Sequence, residues 1–435
     1  MGIHRMISIT KLYCGEAGPG DSIRYGEVSG RDEDLPREID PAPPAPSGPS
    51  RHGMGRGSHP APSRAGAPKS AAERRPVVVW NCTRTCNLKC IHCYTDSAAC
   101  RYEGELTGVE ARAMLDDLAA FNIPALLISG GEPLMRPDFF ELAEYAVGRG
   151  LRLTLSTNGT LLTRDAVRRV KDLGFTYVGI SLDGIGSVND RFRGHEGAFV
   201  KTMQGFRDCV DLGQRVGLRM TLTRHNYEDL DNIFDFIESE NIDRACFYHL
   251  AYSGRGGALA GEDLRREDTR AAMDTILRRT RDFFARGLNK DILTVANHVD
   301  GVYTLMKLRE EGSPRVAEVE RHLRWNGGGL YSSGVGIGDI DFNGDVHPDQ
   351  FWMRYKLGNV RERPFSVIWM DESDPLMKGL KHRRDFIKGK CAACQYFDLC
   401  GGSLRVRADV AYGDPFEWDP GCYLTDEEIY GPNKP

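Results

Sequence analysis

The chain has 435 residues, of which 40% are hydrophobic and 27% charged, with a formal net charge of −5 and a pI near 6.2. This composition supports a large core and excludes the basic footprint of a nucleic-acid-binding protein. No apolar run approaches the length of a membrane span, and the first residues lack a signal-peptide core. We therefore expect a cytoplasmic protein that binds neither nucleic acid nor membrane.

The start of the chain divides into two segments of different composition. Residues 1–28 contain MISITKLYCG and predict a short ordered piece. Residues 29–74 are rich in Pro, Gly, Ser, Ala and Arg, which is typical of a disordered linker. A passive tether is the preferred interpretation of this linker, and RNA binding by its arginines is the alternative. We expect a barrel domain over residues 75–300 and a C-terminal domain over residues 301–435.

Short β-rich runs alternate with helical patterns after the linker. Six runs precede residue 252: 77–80, 125–129, 151–156, 176–181, 216–222 and 244–250. Repeated strand–helix units predict a parallel sheet with right-handed crossovers. The predicted fold class is therefore α/β, with a partial (β/α)6 TIM-like barrel, since six units are fewer than the eight of a closed barrel.

A small polar or glycine-rich cluster follows most of these runs at once. The clusters are SGGEP (129–133), STNG (156–159), SLDG (181–184), TRHN (223–226) and AYSGRGG (251–257). Ligands bind at the C-terminal strand ends of α/β barrels. Five such clusters in succession therefore predict one rim of a ligand pocket.

Seven of the twelve cysteines fall in two clusters, which in a large cytosolic chain indicates metal binding rather than disulfides. The first cluster, Cys86, Cys90 and Cys93, lies in CNLKCIHC directly after the first strand. Soft thiolates at this spacing suit an iron–sulfur cluster. Three ligands leave one iron open, as in catalytic rather than structural metal sites. A zinc site completed by His92 or Cys82 is the alternative.

The triplet, with Tyr94 after it and GGEP at 130–133, resembles the radical S-adenosylmethionine (SAM) superfamily. The resemblance implies a [4Fe–4S] cluster whose open iron is chelated by SAM. It also implies that the backbone of Gly130, Gly131 and Glu132 contacts the methionine amine of SAM. Glycines would be needed there because side chains would block the approach.

The same resemblance makes Ser156, Asn158, Ser181 and Asp183 candidates for contacts to the ribose and carboxylate of SAM. A reduced cluster would cleave SAM to a 5′-deoxyadenosyl radical, which abstracts hydrogen from a substrate. The cofactors would carry the difficult chemistry, and the barrel would orient them and exclude water. A small reductant, ferredoxin or flavodoxin, is implied.

The second cluster, Cys391, Cys394, Cys400 and Cys422, resembles the SPASM/Twitch type of auxiliary-cluster extension. The resemblance implies a second [4Fe–4S] cluster in a C-terminal auxiliary domain. Structural zinc is the alternative, because four thiolates also suit zinc. The preceding hairpin, residues 341–351, offers His347 but no cysteine. We therefore expect one auxiliary cluster, with a histidine ligand as an alternative.

Several further segments resemble the tetrapyrrole-modifying branch of the superfamily, namely 6–27, 77–97, 247–256, 294–303 and 324–352. One kind of enzyme in that branch removes acetate side chains from didecarboxysiroheme to give Fe-coproporphyrin. A related kind removes propionates from the same precursor on the way to heme d1. The N-terminal segment favours the first kind. A peptide maturase is a further alternative, but residues 29–74 cannot form the winged-helix domain with which such maturases often begin.

A tetrapyrrole with several carboxylates needs an apolar slot edged by cations, preferably arginine. The arginine candidates are Arg255, Arg324 and Arg354, for each of which a solvated surface position is the alternative. Three histidines are candidates for ligating the substrate iron or relaying protons: His249, His298 and His347. A hydrogen-bonded structural role is the alternative for each histidine.

Overall fold

The computed structural model describes residues 6–18, 21, 24 and 74–431. The predicted linker, apart from its last residue, lies outside the described residues. Among the residues described, no helix combines the length and the apolarity that crossing a bilayer requires.

One sheet of eleven strands organises the molecule. The strands are β1 (Met6–Ser8), β2 (Val77–Asn81), β3 (Leu126–Ser129), β4 (Leu153–Thr157), β5 (Val178–Ser181), β6 (Val216–Leu222), β7 (Arg244–His249), β8 (Asp291–Val295), β9 (Ile337–Ile340), β10 (Asp345–His347) and β11 (Gly358–Asn359). Their order in the sheet is β1-β8-β7-β6-β5-β4-β3-β2-β9-β10-β11. Strands β2 to β8 are parallel neighbours in chain order, so the predicted α/β partial barrel is confirmed.

Helices connect these strands and cover the sheet. They are α1 (Gly108–Ala120), α2 (Phe139–Gly148), α3 (Arg164–Asp172), α4 (Ser187–Arg193), α5 (Ala198–Asp211), α6 (Leu230–Ser239), α7 (Arg255–Ala258), α8 (Arg266–Ala285), α9 (Val299–Glu310), α10 (Val316–Asn326), α11 (Phe365–Met370), α12 (Pro375–Lys381), α13 (Arg383–Phe386), α14 (Gly389–Ala392), α15 (Phe397–Cys400), α16 (Arg405–Tyr412) and α17 (Asp426–Tyr430). A π-helical turn, Thr10–Cys14, follows β1.

Local sequence signals set the bounds of several of these helices. Thr107 caps α1 in a reciprocal capping box with Glu110, and Thr163 caps α3 by accepting a hydrogen bond from the Ala166 N–H. Such caps satisfy backbone donors that have no partner inside the helix. Gly174 ends the turn after α3 with a positive φ of 77°, a conformation that glycine adopts without strain.

All six predicted strands are present, as β2 to β7, and the structure adds strands at both ends of the barrel. β8 extends the parallel series, and β1 from the N-terminal segment pairs antiparallel with β8, with Met6 opposite Val295. On the other side β9 pairs parallel with β2, with Val77 opposite Ile337. The N-terminal segment and the C-terminal region therefore both enter the barrel sheet, while the division at residue 300 stays a prediction.

Candidate functional site

The parallel strands end at a cavity that contains the first cysteine cluster. Its lining includes eight of the residues singled out from the sequence: Cys86, Cys90, Cys93, Gly130, Gly131, Ser156, Asn158 and Ser181. They come from the loop after β2 and from the ends of β3, β4 and β5, because the carboxyl ends of parallel strands meet at one edge. Glu132 and Asp183 are not part of this lining.

Hydrogen-bond donors surround the three sulfur atoms. The Asn158 side-chain amide lies 3.9 Å from Cys86 Sγ, Arg193 Nη1 donates to Cys90 Sγ at 3.7 Å, and Thr95 Oγ1 lies 3.3 Å from Cys93 Sγ. Burial raises the pKa of the Cys86 thiol to about 12. A bound metal deprotonates its thiol ligands, so these donors gain anionic partners when a metal cluster is held here.

The arrangement suits a cluster better than a single metal ion. Among the residues described, no three His, Cys, Asp or Glu side chains are placed to hold one ion. Thiolates on zinc all lie about 2.3 Å from the same ion, whereas each thiolate of an iron–sulfur cube binds a different iron. His92 Nε2 is 3.2 Å from Asp183 Oδ2 and Cys82 is buried in the core, so neither completes a zinc site.

The two glycines after β3 pack against the cysteine loop, where a side chain would clash. A Cβ on Gly130 would lie 2.4 Å from the Thr83 carbonyl oxygen, and a Cβ on Gly131 would lie 2.4 Å from that of Thr85. The Gly131 N–H donates to the Thr83 carbonyl at 2.7 Å. This close approach locks the glycine turn onto the cysteine loop, while the expected contact of its backbone with SAM stays a prediction.

Glu132 is fully buried and its carboxylate is turned toward the end of β4. It accepts hydrogen bonds from Thr157 Oγ1 at 2.8 Å and from the Asn158 N–H at 2.8 Å. Burial raises the pKa of this carboxyl group to about 7, although these hydrogen bonds oppose the rise. The carboxylate thus ties the glycine turn to β4.

Asp183 is also buried, and its carboxylate pairs with Arg193 and His92. Its Oδ2 lies 2.5 Å from Arg193 Nη2 and 3.2 Å from His92 Nε2. Burial raises the pKa of Asp183, but the charges of Arg193 and His92 overcome it and lower the pKa to about 2. Because Arg193 also donates to Cys90 Sγ, Asp183 fixes the side chain that reaches the sulfur. Asp183 itself does not line the cavity.

Arg219 is a residue of the cavity that was not singled out from the sequence. It projects from β6, is 9% exposed, and donates from Nη1 to Ser156 Oγ at 2.7 Å. It forms no ion pair with any residue that the structure describes. The sequence signal that could have identified Arg219 is an arginine within the mostly apolar run VGLRMTL (216–222). Strands buried on both faces are mostly apolar, so a charged residue there is unusual. The cavity therefore has a cation with room for an anionic ligand.

The three arginines proposed for the rim have other roles. Arg255 lines the cavity, but it donates to the Cys90 carbonyl at 2.7 Å and to Asp96 Oδ1 at 2.7 Å, which holds the cysteine loop. Arg324 lies in helix α10, not in a loop, and pairs with Glu320. Arg354 pairs with Asp409 at the surface. Neither Arg324 nor Arg354 is part of the cavity lining.

Among the three candidate histidines, the structure brings only His249 to the cavity. His298 is buried at the start of α9, three residues after the end of β8. His347 Nδ1 lies 2.7 Å from the Tyr355 carbonyl oxygen, in the β10 region. His298 and His347 therefore have structural positions.

The second cysteine cluster encloses a cavity of its own. Cys391, Cys394, Cys400 and Cys422 all line it. Its other lining residues are mostly apolar and include Val299, Phe397, Trp418, Leu424 and Ile429. Burial raises the pKa of the Cys422 thiol to about 12, and the Tyr396 N–H donates to Cys394 Sγ at 3.4 Å. Neither His347 nor Asp349 lines this cavity.

Comparisons with known proteins agree with this geometry. The model of the radical SAM superfamily matches residues 80–237. Fe-coproporphyrin III synthase of Methanosarcina barkeri is 47% identical over 98% of this chain and 99% of its own. Pre-heme d1 synthase of Dinoroseobacter shibae is 44% identical over 85% of this chain and 90% of its own.

A solved structure with the same fold is that of Streptococcus suis SuiB bound to its precursor peptide SuiA. It matches with a TM-score of 0.62 at 19% identity, covering 80% of this chain and 76% of SuiB. With its cysteine triplet at the strand ends of a partial barrel, this chain belongs to the radical SAM superfamily, among its heme-biosynthesis enzymes, and uses a [4Fe–4S] cluster and SAM.

Proposed function

We propose that the enzyme removes acetate side chains from didecarboxysiroheme to give Fe-coproporphyrin III, and that it does so in the cytoplasm. The observation that carries this proposal is the 47% identity to an Fe-coproporphyrin III synthase over 98% of this chain. The match to pre-heme d1 synthase is nearly as high, at 44%, but spans 85% of this chain. Propionate removal is therefore the second candidate.

Cys86, Cys90 and Cys93 would hold the radical-generating cluster. When bound, the cluster and SAM supply a 5′-deoxyadenosyl radical that abstracts a hydrogen atom from the substrate. The protein's part is to hold the sulfurs and to keep water out. Asn158 and Arg193 donate toward the sulfur atoms, and such hydrogen bonds tune the potential of an iron–sulfur cluster.

We assign residues of the cavity to three parts of SAM: the methionine amine, the ribose and the carboxylate. The backbone of Gly130, Gly131 and Glu132 would contact the methionine amine, and Ser156 with Ser181 would contact the ribose. Arg219 would pair with the SAM carboxylate, because its buried guanidinium forms no ion pair with a described residue and a guanidinium fork matches a carboxylate.

Two buried carboxylates, those of Glu132 and Asp183, would act indirectly. The carboxylate of Glu132 is occupied by Thr157 and the Asn158 N–H, so it would hold the methionine-binding turn in place. The carboxylate of Asp183 is occupied by Arg193 and His92, so it would orient the arginine that donates to Cys90.

Cys391, Cys394, Cys400 and Cys422 would hold a second [4Fe–4S] cluster. Four thiolates close the ligand set, and the apolar lining of this cavity suits electron transfer rather than substrate binding. A ferredoxin or flavodoxin would supply electrons, and the tetrapyrrole would enter the first cavity.

The deciding experiment is anaerobic incubation of the full-length, cluster-loaded enzyme with didecarboxysiroheme, SAM and reduced flavodoxin, followed by mass spectrometry. We expect Fe-coproporphyrin III, free acetate and 5′-deoxyadenosine. The triple variant Cys86→Ala/Cys90→Ala/Cys93→Ala, treated in the same way, should give none of the three. Loss of propionates instead of acetates would establish the pre-heme d1 reaction. Formation of 5′-deoxyadenosine without any change in the tetrapyrrole would favour a peptide substrate.

A further inference from the structure

His249 stands at the end of β7, between two cavities. On one side it belongs to the lining of the catalytic cavity, together with Cys93 and Tyr248. On the other side it lines a smaller polar cavity, together with Asp263 and Arg407. His249 itself is 8% exposed. A titratable ring in this position borders both the catalytic cavity and the smaller polar cavity.

Buried hydrogen bonds fix the orientation of this ring. His249 Nε2 lies 2.9 Å from Asp300 Oδ2, and the Tyr423 hydroxyl donates to Asp300 Oδ1 at 2.8 Å. Asp300 is fully buried, and the His249 and Tyr423 rings are stacked, with centroids 6.4 Å apart and an interplanar angle of 9°. A carboxylate bonded to one ring nitrogen of a histidine determines which nitrogen is left for chemistry.

The other ring nitrogen, Nδ1, has no hydrogen-bond partner among the residues that the structure describes. A doubly protonated ring would donate to Asp300 through Nε2 and offer a second N–H at Nδ1. A histidine held in this way by a carboxylate is the usual general acid and base of enzymes. His92, the other histidine of the catalytic lining, is instead paired with Asp183 inside the cysteine loop.

Removal of an acetate side chain requires a proton, and this step rests on the proposed function. After hydrogen abstraction from the macrocycle, homolysis of the C–C bond forms a ring double bond and releases a carboxymethyl fragment with one unpaired electron. That fragment becomes acetate by gaining one electron and one proton, with a new C–H bond. The electron comes from a one-electron reductant of the ferredoxin or flavodoxin class.

We propose that His249 donates this proton to the departing carboxymethyl fragment and is protonated again from the polar cavity. Asp300 is then a positioning residue that holds the ring, and Tyr423 holds Asp300. The charged and titratable groups that line the polar cavity with His249 or contact its ring are Asp263, Arg266, Asp300, Arg407, Cys422 and Tyr423.

The test compares wild-type enzyme with His249→Gln, which keeps a polar side chain of similar size but cannot act as a general acid. We expect the variant to bind didecarboxysiroheme as the wild type does, measured by titration of the Soret band. It should still form 5′-deoxyadenosine, while acetate per 5′-deoxyadenosine falls by roughly a hundredfold. Asp300→Asn should lower the same ratio less. His382→Gln, at an exposed histidine, is the matched control and should keep the wild-type ratio.

Reaction of the wild type in D2O gives a measurement that does not depend on any variant. We expect the released acetate to carry one deuterium, because the proton comes from an exchangeable group. Acetate without deuterium, or a wild-type ratio in His249→Gln, would overturn the role of His249 and leave the proposed function intact. Absence of acetate from the wild-type reaction would overturn the proposed function itself, and this inference with it.

Discussion

The two cysteine sites of this molecule have opposite surroundings. The first site has three cysteines on a cavity that also presents Ser156, Ser181 and Arg219. The second site has four cysteines in a cavity whose other walls are mostly apolar. In the first, Asn158 and Arg193 donate toward the sulfur atoms of Cys86 and Cys90. In the second, the Tyr396 N–H donates to Cys394 Sγ.

This difference is the one expected between a metal site that is open to substrate and a metal site whose ligands all come from the protein. A metal centre with an incomplete protein ligand set keeps a position for substrate, whereas a complete set is typical of sites without one. Under the proposed function, polar groups beside the first site would bind SAM, while apolar walls beside the second would limit access by water and ligands. Ligand number and wall polarity therefore point to the same division of labour between the two sites.

The largest expected effect is the loss of one ligand from the first site. Cys90→Ala should lower 5′-deoxyadenosine formation by far more than the roughly hundredfold that loss of an outer-shell partner costs, because the cluster no longer has its three thiolates. Chromatographic assay of 5′-deoxyadenosine under anaerobic conditions measures the effect. Cys100→Ala, at an exposed cysteine outside both sites, should behave as the wild type. Substantial SAM cleavage by Cys90→Ala would mean that the three cysteines of the first site are not all needed for SAM cleavage.

A smaller and more selective effect is expected at the second site. Cys400→Ala should leave SAM cleavage close to the wild-type level, since the first site is intact. Acetate formed per 5′-deoxyadenosine should fall roughly tenfold or more, because the second site lacks a complete ligand set for electron transfer. The measurement is the ratio of the two products, with iron content reduced by about half. If SAM cleavage falls as far as in Cys90→Ala, the two sites do not have separate roles.

Much of this architecture could be predicted because its signals are local. Alternating strand and helix patterns located β2 to β7, and cysteine spacing predicted the two groups of cysteines that each line one cavity. Two of the strands that were missed enter the sheet through distant partners: β1 pairs with β8, and β9 pairs with β2. No periodicity within five or so residues encodes such a pairing.

The site residues also divide into those that local sequence signals predict and those that depend on distant contacts. Polar residues after strands were expected to face the ligand, yet the side chains of Glu132 and Asp183 are buried and bind neighbouring elements. Arg193 lies 103 residues from Cys90 in sequence and reaches it only through the placement of α4. Spacing predicts which residues lie at a strand end, but the packing around that end decides which side chains face the cavity.

The smallest expected effect is that of a substitution at Arg193, and it tests specifically whether the two cysteine sites differ. Arg193→Lys keeps a charge beside Asp183, but lysine lacks the planar fork that allows Arg193 to contact Asp183 and Cys90 Sγ together. We expect SAM cleavage to slow roughly tenfold and the reduction potential of the first cluster to fall, because a lost hydrogen bond to sulfur destabilises the reduced form. The second cluster should keep its potential.

Redox titration followed by electron paramagnetic resonance distinguishes the two clusters in this variant. Arg191→Lys, at an exposed position of the same helix, is the matched control and should shift neither potential. Equal shifts of both clusters in Arg193→Lys would mean that the substitution disturbs the whole fold. A shift confined to the first cluster would show that a side chain from α4 tunes the three-cysteine site alone, as its contact with Cys90 Sγ requires.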